Sequence, residues 1–287
     1  MDVAFKAHLS EELDKQILGL SSISGGDINH AALIRTAGND YFIKWNDSTN
    51  ALSMLRAEAA ALQIIADTKA IATPKIIICS SYNNTAYLLL EYKKPNPKPS
   101  GKDLFHFGVQ LAYLHSHTAE EFGFKDDNYI GSLPQSNRKD ATWSQFYISQ
   151  RLQPQLAIAL NKNYLARISA QTIDCFLKKT DSLFADIYPS LLHGDLWNGN
   201  YIVSENGTSY LIDPASYFGH LEVDLAMTEL FGGFGIDFYN GYYSVKKVEH
   251  GYPDRKEIYQ LYYLLVHLNL FGRSYEDACC RILTKFD

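Results

Sequence analysis

The 287-residue sequence is short of cysteine and of long apolar runs, and each shortage closes off a class of protein. Its four cysteines, Cys79, Cys175, Cys279 and Cys280, form no CxxC pair and no metal-ligand spacing. Neither a zinc site nor a disulfide scaffold is expected, and buried reduced thiols are the simpler reading. No stretch approaches the roughly 18 consecutive apolar residues of a membrane span. The first residues, MDVAFKAHLSEELDKQILGL, lack a basic segment followed by an unbroken apolar one. A cytoplasmic protein without a membrane partner is therefore expected. Lys and Arg total 26 against 32 Asp and Glu, a net charge of −6, and nowhere concentrate into a basic face. Nucleic acid is thus an unexpected partner, because a reader of the phosphate backbone needs such a face. Internal repeats and low-complexity tracts are also missing.

What is present is apolar mass and alternating order. At 46% hydrophobic the chain can bury a real core, as one large domain or two packed lobes. Residues 10–20 read as an amphipathic helix capped by Ser10, with Leu13, Ile17 and Leu20 on one face. Two β-like runs then flank Gly25-Gly26, and a second hairpin turn falls at residues 37–40, ahead of a strand carrying Lys44. Residues 50–67 repeat Leu52, Leu55, Ala59, Leu62 and Ile65 at helical spacing, with Glu58 among them. Residues 76–79 and 86–90 read as strands joined by a turn at Tyr82-Asn83-Asn84. The proline-rich stretch 93–101 is the sharpest break in composition and divides a first part, 1–92, from a second, 93–287. Beyond it the pattern is helical at 104–117, 142–160, 165–187 and 255–281, with one short β region at 201–212 turning at Asn206-Gly207. This order makes the fold class α+β.

The most informative segment is LLHGDLWNGNYIVSENGTSYLIDPA, residues 191–215. His193, Asp195 and Asn200 stand in an H-x-D-x-x-x-x-N spacing, and Asp213 follows a hairpin. In kinases such an Asp takes the proton of the acceptor hydroxyl, while the Asn and a second Asp offer hard oxygens to Mg²⁺. An ordinary turn is the competing reading, since Asp, Asn and Gly all favour turns. The full spacing followed by a strand pair argues against it. Other pieces lie upstream in the order of a kinase. Gly25, Gly26 and Asp27 form a loop between strands that can cover phosphates with backbone N–H groups. Lys44 can meet α- and β-phosphates, and Glu58 can hold Lys44 in place. Glu91, Tyr92 and Lys93, where the first part meets the linker, can offer backbone groups to an adenine. Singly, each has a bland alternative in a turn, a solvated side chain or a strand end. Jointly they are much rarer.

The segment His193–Asn200 resembles the HGDLWxGN signature of the fructosamine/ketosamine-3-kinase family. Asp213–Met227 is similar to its DPAxYYGHREVDLAM block, which Leu230–Phe234 continues. Phe122-Gly123-Phe124, Asp127–Gly131, Trp143, Phe146, Arg151-Leu152 and Pro154-Gln155 also resemble family stretches. The resemblance implies a two-lobed, protein-kinase-like fold, with a small β-rich nucleotide-binding lobe over 1–92 and a larger helical lobe over 93–287. It implies ATP and Mg²⁺ as cofactors, Asp195 as base, Asn200 and Asp213 as metal ligands, and a phosphate-positioning pair of Lys44 and Glu58. Trp197 would stack on the substrate or anchor the loop. His220 and Glu222 would border the substrate or serve packing. His193 and Asp224 would support the catalytic loop. The implied substrates are ketosamines, as small molecules or as glycated proteins, phosphorylated on the sugar O3 in deglycation repair. Other small-molecule kinases of the aminoglycoside or choline type, and a nucleotide-binding pseudokinase, stay open, as does the oligomeric state. Phe218 and Leu221 depart from the family's Tyr and Arg. Pro214 stands where protein kinases have the Phe of DFG, and only a short segment separates Asp213 from Asp224.

Overall fold

The computed structural model describes residues 2–23, 28–184, 187–247 and 250–285. The chain forms two compact units. One comprises Met1–Pro99 and Ile202–Asp213, the other Ser100–Tyr201 and Pro214–Asp287.

The first unit is built on a five-stranded antiparallel sheet. In chain order its elements are α1 (Val3–Leu13), β1 (Ile17–Ser22), β2 (His30–Thr36), β3 (Asp40–Asn46), α2 (Ala51–Asp67), β4 (Ile76–Tyr82) and β5 (Thr85–Glu91). The strands lie in the order β1-β2-β3-β5-β4. The helix expected over residues 10–20 is displaced. Asp2, not Ser10, caps α1 by accepting from the Phe5 N–H at 2.7 Å, and the helix stops at Asp14 in a left-handed conformation (φ 48°). Ile17 and Leu20, expected on one helical face, are instead in β1, where Ile17 is buried and Leu20 is 37% exposed. The backbone partners offered by β2, with Leu20 opposite Ile34, outweigh a short run of helical spacing. The loop Gly25-Gly26-Asp27 lies outside the described residues.

Alternation along the strands sends side chains to opposite faces of this sheet. Tyr41, Ile43, Tyr87 and Leu89 pack with Phe5 and Leu9 of α1. Phe42, Leu88 and Leu90 pack with Leu55, Ala59 and Leu62 of α2. Lys44 therefore falls on the α2 face, and Glu58, three residues after Leu55, falls on the α2 stripe that meets it. A hairpin of Tyr201–Val203 and Ser209–Leu211 is attached to the unit, for Leu211 N–H donates to Ala72 O at 3.0 Å and Asn96 N–H to Val203 O at 2.8 Å.

The second unit is mostly helical. It opens with α3 (Gly101–Leu114), started by a reciprocal cap in which Ser100 N–H donates to Asp103 at 2.8 Å and Asp103 N–H to Ser100 Oγ at 3.2 Å. There follow β6 (Asn128–Ile130), β7 (Leu133–Gln135), α4 (Trp143–Tyr147), one π-helical turn (Ile148–Leu152), α5 (Gln153–Asn161) and α6 (Ala170–Leu183). Then β8 (Ser190–Leu191) pairs with β9 (Phe218–Gly219), and α7 (Glu222–Leu230), α8 (Ile236–Tyr243), α9 (Tyr252–Phe271) and α10 (Glu276–Lys285) complete it. The helical end expected from Arg255 is broken at Gly272, whose φ of 92° no α-helix admits. The core is rich in tyrosine: Tyr147, Tyr217, Tyr259, Tyr262 and Tyr263 are all fully buried. Burial pushes their phenol pKa values up, so these hydroxyls stay protonated. Among the described residues no helix is long and apolar enough to cross a membrane.

Candidate active site

In the first unit Lys44 is only 7% exposed, and its ammonium reaches Glu58 Oε1 at 2.9 Å and one carboxylate oxygen of Asp213. Desolvation works against the Lys44 charge, but the two carboxylates outweigh it and hold the ammonium's pKa above its usual range. Glu58 feels burial more strongly than it feels Lys44, and Asp213 adds like-charge repulsion, so its pKa is pushed up to about 7. Asp213 closes the hairpin in the left-handed region at φ 57°. A non-glycine residue there costs on the order of 1 kcal/mol, which the surrounding contacts must hold. Its side chain keeps 38% exposure. At the end of β5, Glu91 N–H donates to Lys75 O at 2.9 Å and Tyr92 N–H to Asp40 O at 3.2 Å. These two amides are spent within the unit. Lys93 lies 2.5 Å from Glu91 Oε1 and 4.7 Å from the centroid of the Tyr210 ring.

In the second unit the first residues of the turn 193–200 are pinned through their backbone groups. Asp224, fully buried, accepts from His193 N–H at 2.7 Å and Gly194 N–H at 2.9 Å. Ala215 N–H donates to His193 O at 2.9 Å, and the Tyr263 hydroxyl donates to Gly194 O at 2.8 Å. Burial alone would raise the Asp224 pKa. The His115 hydrogen bond, the nearby imidazoles and the Gly194 N–H reverse that and hold it below the usual carboxylate range. Asp195 N–H donates to His193 Nδ1 at 3.2 Å. Asn200 Nδ2 donates to Asp195 O at 2.8 Å and to Asp195 Oδ2 at 3.1 Å, which sets the Asp195 carboxylate and turns the Asn200 oxygen away from it. Gly194 has φ 85°, and a Cβ there would stand 2.2 Å from Ala215 O, a backbone atom. Gly194→Ala should therefore cost more than about 2 kcal/mol by combined strain and overlap. Its urea midpoint should fall and its turnover collapse together. Unchanged stability would show that the turn can rearrange.

Trp197 is half-buried, and its six-membered ring lies over Gly199, where an added Cβ would sit 2.5 Å from ring atoms. His220 and Glu222 are not at a cleft wall. They are 2% and 0% exposed and spend their polar atoms inside the core. Glu222 takes Arg255 in a two-pronged pair, both contacts 2.7 Å. Trp143 Nε1–H donates to the Tyr259 hydroxyl at 3.0 Å, and that hydroxyl lies 2.6 Å from His220 Nδ1. Glu222 stands 3.6 Å from His220, but Arg255 already takes its charge. Burial, with the Arg255 charge added to it, holds the His220 pKa well below the usual range, so the imidazole is neutral.

That neutrality has a measurable consequence. The unfolded chain gains a proton at this position below about pH 6.5, and the folded chain does not. The stabilisation is complete above that pH and is lost as pH falls. Between pH 6.5 and 5 the contribution should drop by about 2 kcal/mol. Urea midpoints across that range should show this slope in the parent chain and a flatter one in His220→Gln. Equal slopes would exclude a neutral buried imidazole.

His115, Tyr242, Tyr263 and Arg255 were not legible as parts of this arrangement in the sequence. They stand 33 to 127 residues from these partners, and no local spacing marks them. Among the described residues no three His, Cys, Asp or Glu side chains group to hold a metal by themselves.

Residues 1–286 match the family model described as fructosamine kinase. A probable ketoamine kinase of Vibrio parahaemolyticus is 40% identical over 287 residues, covering 98% of each chain. The chloroplastic protein-ribulosamine 3-kinase of Arabidopsis thaliana is 33% identical, over 97% of this chain and 85% of that one. Among solved structures, a provisionally assigned fructosamine-3-kinase from Haemophilus somnus superposes with a TM-score of 0.88 at 28% identity, covering 98% of this chain and 96% of that one. An aminoglycoside phosphotransferase superposes with a TM-score of 0.67 at 15% identity over 98% and 97% of the two chains, a likeness of fold alone. The fold is kinase-like, as the order of motifs implied.

Proposed function

The chain belongs to the fructosamine kinase family and is a phosphotransferase with an alcohol group as acceptor, and from that premise we propose that it phosphorylates the sugar O3 of ketosamines with ATP. The acceptors are ribulosamine, erythrulosamine or fructosamine adducts, on small amines or on protein lysines. The observation that carries the reading is the turn at Asp195: its carboxylate is oriented by Asn200 while the backbone just ahead of it is pinned by Asp224 and Tyr263.

In this reading Asp195 receives the proton of the acceptor hydroxyl as that oxygen bonds to the γ-phosphorus. The bond from the γ-phosphorus to the bridging oxygen breaks, and ADP departs. Lys44, held by Glu58, positions the α- and β-phosphates, and the Gly25-Gly26-Asp27 loop covers them. Asn200 and Asp213 hold Mg²⁺, which supplies charge neutralisation on the phosphates. The 91–93 stretch meets the adenine through its carbonyls and through amides beyond Tyr92. Trp197 lines the sugar side. His193 supports the turn, and His220 and Glu222 support it from the core. Phosphorylation at O3 makes the adduct labile, so the enzyme would serve repair of glycated amines.

The test is turnover with Mg-ATP against ribulose- and fructose-glycated lysine, with an aminoglycoside and choline beside them, read by mass spectrometry. Phosphate on the adduct sugar is the expected result. Phosphate only on the aminoglycoside or choline, or on none of the four, would sink the ketosamine reading.

A further inference from the structure

Asp224 is a buried carboxylate whose two oxygens hold the amides just ahead of Asp195, yet it is itself the end of a longer chain of contacts. His115, the residue closing α3, is wholly buried. Its Nε2 lies 3.1 Å from Asp224 Oδ2, and its Nδ1 lies 2.8 Å from the Tyr242 hydroxyl of α8. Burial keeps the Tyr242 phenol protonated, so that hydroxyl can donate to Nδ1. The Asp224 carboxylate only accepts, so the ring proton at Nε2 is the one aimed at it. The opposite tautomer would set an Nε2 lone pair against a carboxylate. Three helices thus converge on one carboxylate oxygen, which also receives the His193 N–H at 2.7 Å.

We propose that His115, backed by Tyr242, is a positioning residue that fixes the Asp224 carboxylate and through it the turn carrying Asp195. The assignment rests on the reading of Asp195 as base only for its kinetic consequence. A buried carboxylate that loses one donor can rotate or take a proton, and either change weakens its hold on both amides ahead of Asp195. His115, Tyr242 and Asp224 are all fully buried, so the effect falls on turnover rather than on binding.

The experiment compares the full chain with His115→Phe, His115→Gln and Tyr242→Phe. Phe keeps the bulk and removes both ring nitrogens, while Gln places an N–H donor near the position of Nε2. Two readouts are taken: amide hydrogen exchange at His193 and Gly194 by NMR, and kcat with KM for ATP and for a glycated lysine. In His115→Phe both amides should exchange at least about tenfold faster, and kcat should fall about 10- to 100-fold with each KM within about twofold, as expected when a hydrogen bond to a charged group is lost. His115→Gln should restore slow exchange and most of kcat. Tyr242→Phe should give a smaller loss of the same kind. The proposal is overturned if exchange at His193 and Gly194 is unchanged in His115→Phe. It is equally overturned if Gln, folded and stable, behaves like Phe. Should His115→Phe fail to fold, His115→Gln and Tyr242→Phe decide the matter alone. Exchange needs no substrate, so absent turnover in the parent chain would count against the ketosamine reading and leave the His115 result standing.

Discussion

Asp195→Asn should lower kcat by about 10³-fold, the upper part of the range for removing a general base, while the protein folds and binds Mg-ATP as before. The substitution keeps shape and removes only the capacity to accept a proton. Asn200 Nδ2 still has the backbone oxygen of residue 195 to bond, at 2.8 Å in the parent chain. The turn is held by backbone bonds to Asp224, Ala215 and Tyr263, none of which involves the Asp195 side chain. Thermal midpoint and nucleotide affinity should therefore stay near parental values. Steady-state turnover on a glycated lysine is the measurement. Retention of more than a tenth of parental kcat would mean that another group, or water, takes the proton.

Lys44→Met should strike stability and activity together, and a second substitution should separate them. Lys44 is the cation between two carboxylates, and Glu58 keeps only 13% side-chain exposure. Removing one partner of a buried pair typically costs about 3–5 kcal/mol, because the remaining charge is left without compensation. Turnover should fall about 10²- to 10³-fold, as when a preorganised electrostatic contact to the transferring group is lost. Changing Glu58→Leu as well removes the orphaned carboxylate and should recover much of the stability, yet none of the turnover. The pH dependence has a definite sign. The Glu58 pKa is already raised to about 7 by burial, and loss of Lys44 raises it further. A carboxylate whose folded pKa lies above its unfolded one contributes stability that is complete below the unfolded value and is lost as pH rises through the folded one. Lys44→Met should thus be least impaired near pH 4.5 and most impaired above pH 7. Urea midpoints at those two pH values check this, and a penalty independent of pH would show that Glu58 is not the orphaned charge. Turnover returning in the double variant would remove Lys44 from phosphate positioning.

Part of the arrangement is visible in sequence because it is local. The helix over 51–67 repeats apolar residues every three or four positions, and strands β3 and β5 alternate, so both buried faces follow from the residue pattern alone. The approach of Lys44 to Glu58 follows from those two periodicities, since one falls on the α2 face of the strand and the other on the sheet face of the helix. The error at residues 10–20 has the same origin. Leu13, Ile17 and Leu20 satisfy a helical spacing, but pairing with β2 is a long-range term that no window over the sequence contains.

By itself the sequence determined the α+β order, the kinase-like succession of motifs and the family, because each of these is carried by residue types at fixed separations along the chain. Only the tertiary structure decided that His220 and Glu222 are enclosed with Tyr259 and Arg255, that Asp213 shares Lys44 with Glu58, and that His115 and Tyr242 stand behind Asp224. The reason is physical. Whether a polar side chain faces solvent or is desolvated depends on which distant elements pack over it, and burial then sets its charge, its tautomer and the partner it must find.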